Sequence, residues 1–579
     1  MTTTADQQLR QRNTAQSTKQ NDCGSSSNTH KHAKVTQSAA MATNDHERST
    51  TGSRFFVFAL CLVFRLINAY FTRTYDNPDE YWQSQEVAHH MVFGYGYLTW
   101  EWIAQIRSYA HPLMFALIYK LLAWMQLDQT NLLILVPKLF QACMAALTDY
   151  ATYSLAKRVV GNNIAPYILF ITLSSWYNFF MAARTLSNAV ETTFTVVALN
   201  YWPLPSTITD EYKSNSSSWA RNYRISLVWA SLACVMRPTN ALIWLFAGLW
   251  LVFKSPGRHR ITVLVNAATI VTIILAADVA LDTYIYAGGQ SITIPQAVVW
   301  TPINFLRINV LQSISLIYGV HPWHWYISQG VPVILTTLLP LAFYGYHHCS
   351  VDGGSGSEKD DNDIRFLGQL ITWVLSVYSL LSHKEFRFIF PIVPLMLIFV
   401  AVGLSHVPLR WRKWIALALV ATQIPMALYL CLWHQRGVTD VMLWIREQQY
   451  AAPKNTSMSV GVLMPCHSTP WQSIVHRPDV AMWFLTCEPP FNESDDGYVD
   501  EADRFYADPV LFLNQEIGQR ERQWPTHLVF FENLLEMDDG KNAKQVLVDS
   551  GYYECARFFN SHFHDDWRRR GDVLVYCRT

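Results

Sequence analysis

Several things are scarce in this chain. Ten cysteines are spread over 579 residues without one C-x-x-C pair, so no zinc-ribbon spacing is present. Charged residues make up only 15%, against roughly 25% in soluble domains. The charges balance, 44 basic against 44 acidic, so no basic surface points to nucleic acid. No short repeat and no inverted duplication of the kind that marks many transporters is visible. What the chain has instead is 51% hydrophobic and 14% aromatic residues. Apolar stretches long enough to cross a bilayer recur through its middle, which predicts a polytopic α-helical membrane protein.

Residues 1–52 are rich in Thr, Gln, Ser, Asn and His and read as a disordered tail, with no apolar core near Met1 to suggest a cleaved signal peptide. Lys31, Lys34, Arg48 and Arg54 precede the first span, Phe55–Phe71, and place the tail on the cytosolic side. Further spans are expected at 113–125, 132–150, 164–180, 189–201, 227–253, 261–281, 331–346, 366–381, 388–404 and 414–433, about eleven in all. An odd number puts the tail and the C-terminal region on opposite sides. The basic loops 254–260 and 410–413 agree with that phase. Lys157 and Arg158 do not, so the path from 132 to 201 stays open, with one re-entrant segment allowed. Residues 53–434 then form a membrane module with a first non-cytosolic loop at 71–112. A flexible cytosolic linker is expected at 350–364.

Residues 435–579 are soluble in character, with alternating runs such as His527–Phe531 and Val573–Tyr576, and predict an α+β domain. Sequons at Asn455 and Asn492, and at Asn215 in another loop on the same side, favour an oxidising lumen. Cys466, Cys487, Cys555 and Cys577 fit that compartment and allow three pairings. Cys61, Cys143, Cys234 and Cys431 lie in apolar segments and read as buried packing residues.

Three stretches carry chemistry. The first loop opens with Asp79 and Glu80 after Pro78, then presents Tyr81, Trp82, Phe93, Tyr95, Tyr97, Trp100 and Trp102 before Arg107. So many amphipathic rings suit the lipid–water boundary, and a carboxylate there suits a general base. The acids alone also fit a helix N-terminus. Adjacent residues point different ways, so they make a poor nucleophile–acid pair of the retaining kind. The second stretch is His383-Lys384-Glu385-Phe386-Arg387-Phe388, where Arg387 offers a planar fork and Lys384 a point charge for a phosphate; interfacial anchoring explains the same residues. The third is Tyr318-Gly-Val-His-Pro-Trp-His-Trp-Tyr326. His321, Trp323 and His324 suit a sugar- or lipid-contacting platform better than a metal site, because Pro-Trp breaks a helical histidine pair. Arg237, and more weakly Arg65 and Arg184, are arginines in apolar segments and are expected to face a cavity. Asp360 and Asp361 read as solvating charge in the linker.

NPDEYWQSQEVAHHMVFGYGYLTWEW, RSYAHP, YGVHPWHWY and HKEFRFIFPIVPL, in that order, resemble the family 22 mannosyltransferases of GT-C type, which use dolichyl phosphate mannose. DEYWQ together with PCHSTP at 465–470 is most similar to the branch that adds the third mannose, α1,2-linked, to the glycosylphosphatidylinositol (GPI) anchor precursor in the endoplasmic reticulum. The resemblance runs from about Arg54 towards the C-terminus. It implies that Asp79 or Glu80 is the base, that Arg107 and the motif His383–Arg387 lie near the donor phosphate, and that dolichyl phosphate mannose, the GPI glycolipid precursor and membrane lipids are the partners. Acceptor or lipid contacts are expected at Tyr81, Trp82, Trp100, His321, Trp323, His324 and Arg237. Neither a cofactor nor a metal is expected, because cations of the chain meet a single phosphate. Asn77 stands where the family carries histidine before P-D-E. A mannosyltransferase of the lipid-linked N-glycan precursor, a lipid or sugar transporter and a receptor-like subunit are the competing readings.

Overall fold

A computed structural model of the protein describes residues 53–208, 218–288, 298–312, 314, 319–351, 358–451, 458–490, 498–517, 522–536 and 540–578. The N-terminal tail, the three sequon asparagines, Tyr318 and the middle of the expected linker lie outside them. Among the described residues, six helices are long and apolar enough to cross a membrane: Ser53–Phe71, Leu132–Val160, His259–Tyr286, Tyr326–Cys349, Phe386–His406 and Leu409–Ala451. The pair Asn162–Ser174 and Trp176–Ala182, bent by 63°, adds a seventh if counted as one span. About eleven were expected. The difference arises because some apolar segments form short helices, such as Ala110–Trp124 and Ser187–Tyr201, each of 15 residues. At about 1.5 Å per residue such a helix falls short of a bilayer core of about 30 Å. Residues 187–199 are buried throughout, so protein rather than lipid surrounds them.

The bend falls at Ser175, whose hydroxyl accepts the Asn178 N–H and caps the second helix. This is the stretch whose path the charges left open. Arg158, the charge on the wrong side, donates to the C=O groups of Asn200 at 2.5 Å and Trp202 at 2.8 Å. It closes the C-terminal end of Ser187–Tyr201, where a cation complements the helix dipole.

Helix His259–Tyr286 exposes Ile261, Leu264 and Ile273, as a lipid-facing helix does. In Phe386–His406, residues 389–404 are buried throughout and apolar on every side, because other helices enclose them. A Cβ on Gly345 would stand 2.0 Å from the Phe399 carbonyl oxygen, and one on Gly403 2.1 Å from that of Leu341. Only glycine at both positions lets these two helices touch backbone to backbone. Arg65 forks onto Asp149 at 2.6 and 2.8 Å, both fully enclosed, and so ties the first helix to Leu132–Val160. Cys143, expected inside, is exposed on the latter helix; a thiol is apolar enough to face lipid. The linker is shorter than expected. Helix Glu358–Leu380 begins inside it, and Asp363 is buried, accepting from the Ser206 N–H at 2.7 Å and hydroxyl at 2.6 Å.

The C-terminal region contains a five-stranded mixed sheet of β1 (Ser459–Val462), β2 (Ala481–Phe484), β3 (His527–Phe531), β4 (Tyr552–Ser561) and β5 (Gly571–Arg578), in the order β2-β1-β3-β5-β4. β1 runs parallel to β2 and β3, and β5 antiparallel to β3 and β4. Alternation along β3 explains its two cores. Val529 and Phe531 pack with helix Gly437–Ala451 and with Tyr75, Tyr81 and Trp82 of the first loop. Leu528 and Phe530 face the opposite layer around Phe505, Leu513 and Leu547. Disulfides Cys466–Cys487 and Cys555–Cys577 select one of the three pairings.

Candidate active site

The first loop begins as extended chain and turns into helix at Pro78. The Asn77 side-chain oxygen accepts the Asp79 N–H at 3.0 Å, an Asx turn that sets the direction of the following residues. Asparagine is therefore competent at the position where the resemblance has histidine. Asp79 and Glu80, one residue apart, leave the turn in different directions. Glu80 is 2% exposed and meets Arg184 at 2.7 Å. Arg184 has its other donors on the Thr74 carbonyl and hydroxyl, both at 2.8 Å, and on the Phe180 carbonyl at 3.0 Å. The Glu80 carbonyl accepts from Thr185 and Ser84. This acid fastens the loop to the broken helix segment 176–182. Asp79 keeps a fifth of its side chain open and meets Arg387 at 2.5 Å.

Arg387 is itself aimed. Its Nε and one terminal nitrogen fork onto Glu385 at 2.7 and 2.8 Å, which leaves the remaining nitrogen for Asp79. Burial pulls the Glu385 carboxyl up, but Arg387 and His383 outweigh it and hold the group well below the usual carboxylate range. Two more arginines act electrostatically on Asp79 and Arg387. Arg107 is held by Glu101 at 2.6 Å, and Glu101 in turn accepts from Gln83 at 2.9 Å. Arg237 lies 3.8 Å from Glu191 and shares the Phe388 ring with Arg387, at 5.3 and 5.8 Å. Expected to face a cavity, Arg237 is instead buried against internal partners, as are Arg65 and Arg184. The result is a cluster of three arginines with three partly open carboxylates, of which Glu385 forks onto Arg387 and Glu101 holds Arg107, while Asp79 makes a single contact with Arg387. Asp76, which the sequence did not single out, lies among the same charges; burial pushes its carboxyl up to about 6 while Arg184 opposes the shift.

The other expected residues are placed differently. The Lys384 ammonium donates to the backbone carbonyls of His321, at 3.0 Å, and Leu381, so it braces the histidine turn rather than joining Arg387. His383 bridges the Gly319 carbonyl at 3.0 Å and Glu385 at 3.2 Å, and so orients the group that aims Arg387. His321 stacks on buried Trp325 at 4.7 Å. Trp323 and His324 remain exposed, as a contacting platform requires. Tyr81 and Trp82 offer no such surface. They are buried, because the turn 465–470 covers them: Trp82 donates to the Thr469 carbonyl at 3.0 Å and lies against His467 at 4.5 Å. Trp100 is buried beside Ile106 and Ile314. Long-range packing decides these rings, and nothing local marks them. Glu385, Glu191 and His467 were not singled out as site residues, although Glu385 lies inside the basic motif and His467 inside PCHSTP; Arg184 was marked only as an arginine in an apolar segment. Cys466, His467 and Cys487 cluster closely enough to suggest metal ligands, but the two sulfurs are bonded to each other.

Known proteins resemble this chain in sequence and fold. Residues 56–476 match the model of the Alg9-like mannosyltransferase family. The chain is 38% identical over 540 residues to GPI mannosyltransferase 3 of Yarrowia lipolytica, covering 91% of this chain and 97% of that one. It is also 38% identical over 529 residues to GPI alpha-1,2-mannosyltransferase 3 of Homo sapiens, covering 91% and 88%. The crystal structure of ArnT from Cupriavidus metallidurans bound to undecaprenyl phosphate shares the fold, with a TM-score of 0.53 at 11% identity over 91% of this chain and 98% of that one. Motif order, the GT-C-type fold and the extent of these matches agree: the chain belongs to the Alg9-like mannosyltransferase family, and is a membrane-embedded glycosyltransferase.

Proposed function

We propose that this enzyme transfers the third mannose, in α1,2 linkage, from dolichyl phosphate mannose to the GPI-anchor precursor at the luminal face of the endoplasmic reticulum membrane. The names of the relatives support the acceptor and the linkage. Two disulfides in the C-terminal region support an oxidising compartment. The observation that carries the mechanism is the Asp79–Arg387 pair at 2.5 Å with Arg107 and Arg237 close by.

Asp79 is the general base and Glu80 is not, because Glu80 is buried and neutralised by Arg184. Asp79 removes the proton from the 2-hydroxyl of the acceptor's terminal mannose. That oxygen attacks the anomeric carbon from the face opposite the phosphate, the bond to phosphate oxygen breaks, and the configuration inverts. The dianionic leaving group is met by Arg387, Arg107 and Arg237, so positioning and charge stabilisation supply the catalysis and no resident metal is needed. When phosphate engages Arg387, its hold on Asp79 loosens and the carboxylate is free to accept a proton.

Asp79→Asn should lower mannosyl transfer by about 100-fold or more, while Glu80→Gln, measured per folded molecule, should keep most of it. The wild type should remain active in EDTA. Purified protein, dolichyl phosphate mannose and a GPI precursor with two mannoses are the assay. Near-normal turnover by Asp79→Asn would remove the base assignment.

A further inference from the structure

The C-terminal sheet region meets the first loop through the turn 465–470. Tyr75 donates its hydroxyl to the His467 carbonyl at 2.5 Å, and Trp82 donates its ring N–H to the Thr469 carbonyl. These two donors flank Asp79 in sequence, so the turn is pinned across from that carboxylate. His467 has φ +55°, a left-handed conformation that is uncommon outside glycine, and disulfide Cys466–Cys487 braces its neighbour. The ring is wedged between Trp82 at 4.5 Å and Phe484 at 5.3 Å. Its Nδ1 faces the Cys487 sulfur at 3.9 Å. Its Nε2 is buried and has no hydrogen-bond partner among the described residues.

Arg569 repeats the pattern. It sits in the short turn Trp567–Arg569 between β4 and β5, and its Nε is likewise buried without a hydrogen-bond partner, the Asp566 carboxylate standing 3.6 Å away. Arg569 acts electrostatically on His467 and Tyr75, and Asp79 acts on His467. The His467 nitrogen therefore bears the desolvation of burial without a hydrogen bond to offset it, and Arg569 Nε has only the long ion pair to Asp566, which the fold tolerates where a ligand supplies the missing contact.

We propose that His467, with Arg569 beside it, binds the acceptor sugar: Nε2 takes a hydroxyl of the terminal mannose while Arg569 donates to another acceptor oxygen. The proposal rests on Asp79 being the base. It divides the site chemically. The Arg107, Arg237 and Arg387 side is cationic and suits a phosphate. The His467 side offers an imidazole that burial keeps neutral, pushed down to about 4, and one guanidinium already opposed by Asp566, which suits a polyol rather than an anion. The C-terminal region thereby supplies the acceptor half of an active site whose donor half lies in the membrane module.

The test uses the full-length enzyme with dolichyl phosphate mannose and a synthetic glycolipid ending in α-mannose. His467→Ala should raise the KM for the glycolipid about tenfold, leave the KM for the donor unchanged and keep the melting temperature and both disulfides. His467→Gln should recover part of the loss. An unchanged glycolipid KM in folded His467→Ala overturns the proposal. If that variant does not fold, Arg569→Gln takes its place under the same criterion. Should Asp79→Asn abolish transfer while neither variant moves the glycolipid KM, only this inference fails; if Asp79→Asn stays active, the base assignment fails first.

Discussion

Asp79 and Glu80 are neighbours in sequence and each meets an arginine, yet their surroundings differ. Glu80 and Arg184 are enclosed, and every nitrogen of the guanidinium donates to the protein. Asp79 keeps 20% of its side chain exposed beside a buried Arg387, which Glu385 and His383 orient. The first pair holds the loop in place; the second leaves its carboxylate partly exposed. A buried pair and a partly exposed pair built on the same dipeptide give one loop its anchorage and, in the proposed mechanism, its base.

The comparison breaks first on stability. Glu80→Ala or Arg184→Ala leaves a buried charge unpaired and should cost about 3–5 kcal/mol, read as a fall in melting temperature or folded yield. Replacing both by methionine should recover much of it. If Arg184→Ala is as stable as the wild type but inactive, the roles of the two pairs are reversed. Next, Arg387→Lys keeps the charge but removes the fork that Glu385 orients, and should raise the donor KM about tenfold with little loss of stability. An unchanged donor KM would detach Arg387 from the phosphate.

The smallest effect lies at the seam between the loop and the C-terminal region. His89 and His476 share a hydrogen bond at 2.9 Å, with Asp128 at 3.3 Å and Gln129 at 3.0 Å on the far side of His476. Burial pushes the His89 imidazole down to about 3, with the neighbouring His476 adding to the shift. The folded state holds it neutral while the unfolded chain protonates it near 6.5, so its contribution is present above that pH and is lost as the pH falls below it. Glu86 pulls the other way: burial raises it to about 7 although Ser473 and Trp471 donate to it. The readout is therefore a difference. Between pH 8 and pH 5.5 the wild type should lose more thermal stability than His89→Gln, by about 1 kcal/mol; parallel curves would show that His89 does not respond.

Membrane character was legible in the sequence because apolar runs are local, and so was the first loop with its acids and rings. That Arg65, Arg184 and Arg237 avoid lipid was readable as well, but their internal carboxylate partners, where a cavity was expected, were not. The span count was less readable: helices of 15 residues enclosed by protein carry the same composition as those facing lipid. Tyr81 and Trp82 looked like interface rings because nothing local announces a cover formed some 390 residues later.

The order of residues by itself determined that this chain is a membrane glycosyltransferase of a recognisable kind, because motifs and apolar runs are properties of the strand. Only tertiary structure decided which carboxylate is open, which cations share its space and which cysteines are joined. Those outcomes depend on contacts between segments separated by hundreds of residues, such as Asp79 with Arg387 and Tyr75 with His467. Distance in space, rather than spacing along the chain, sets their energies.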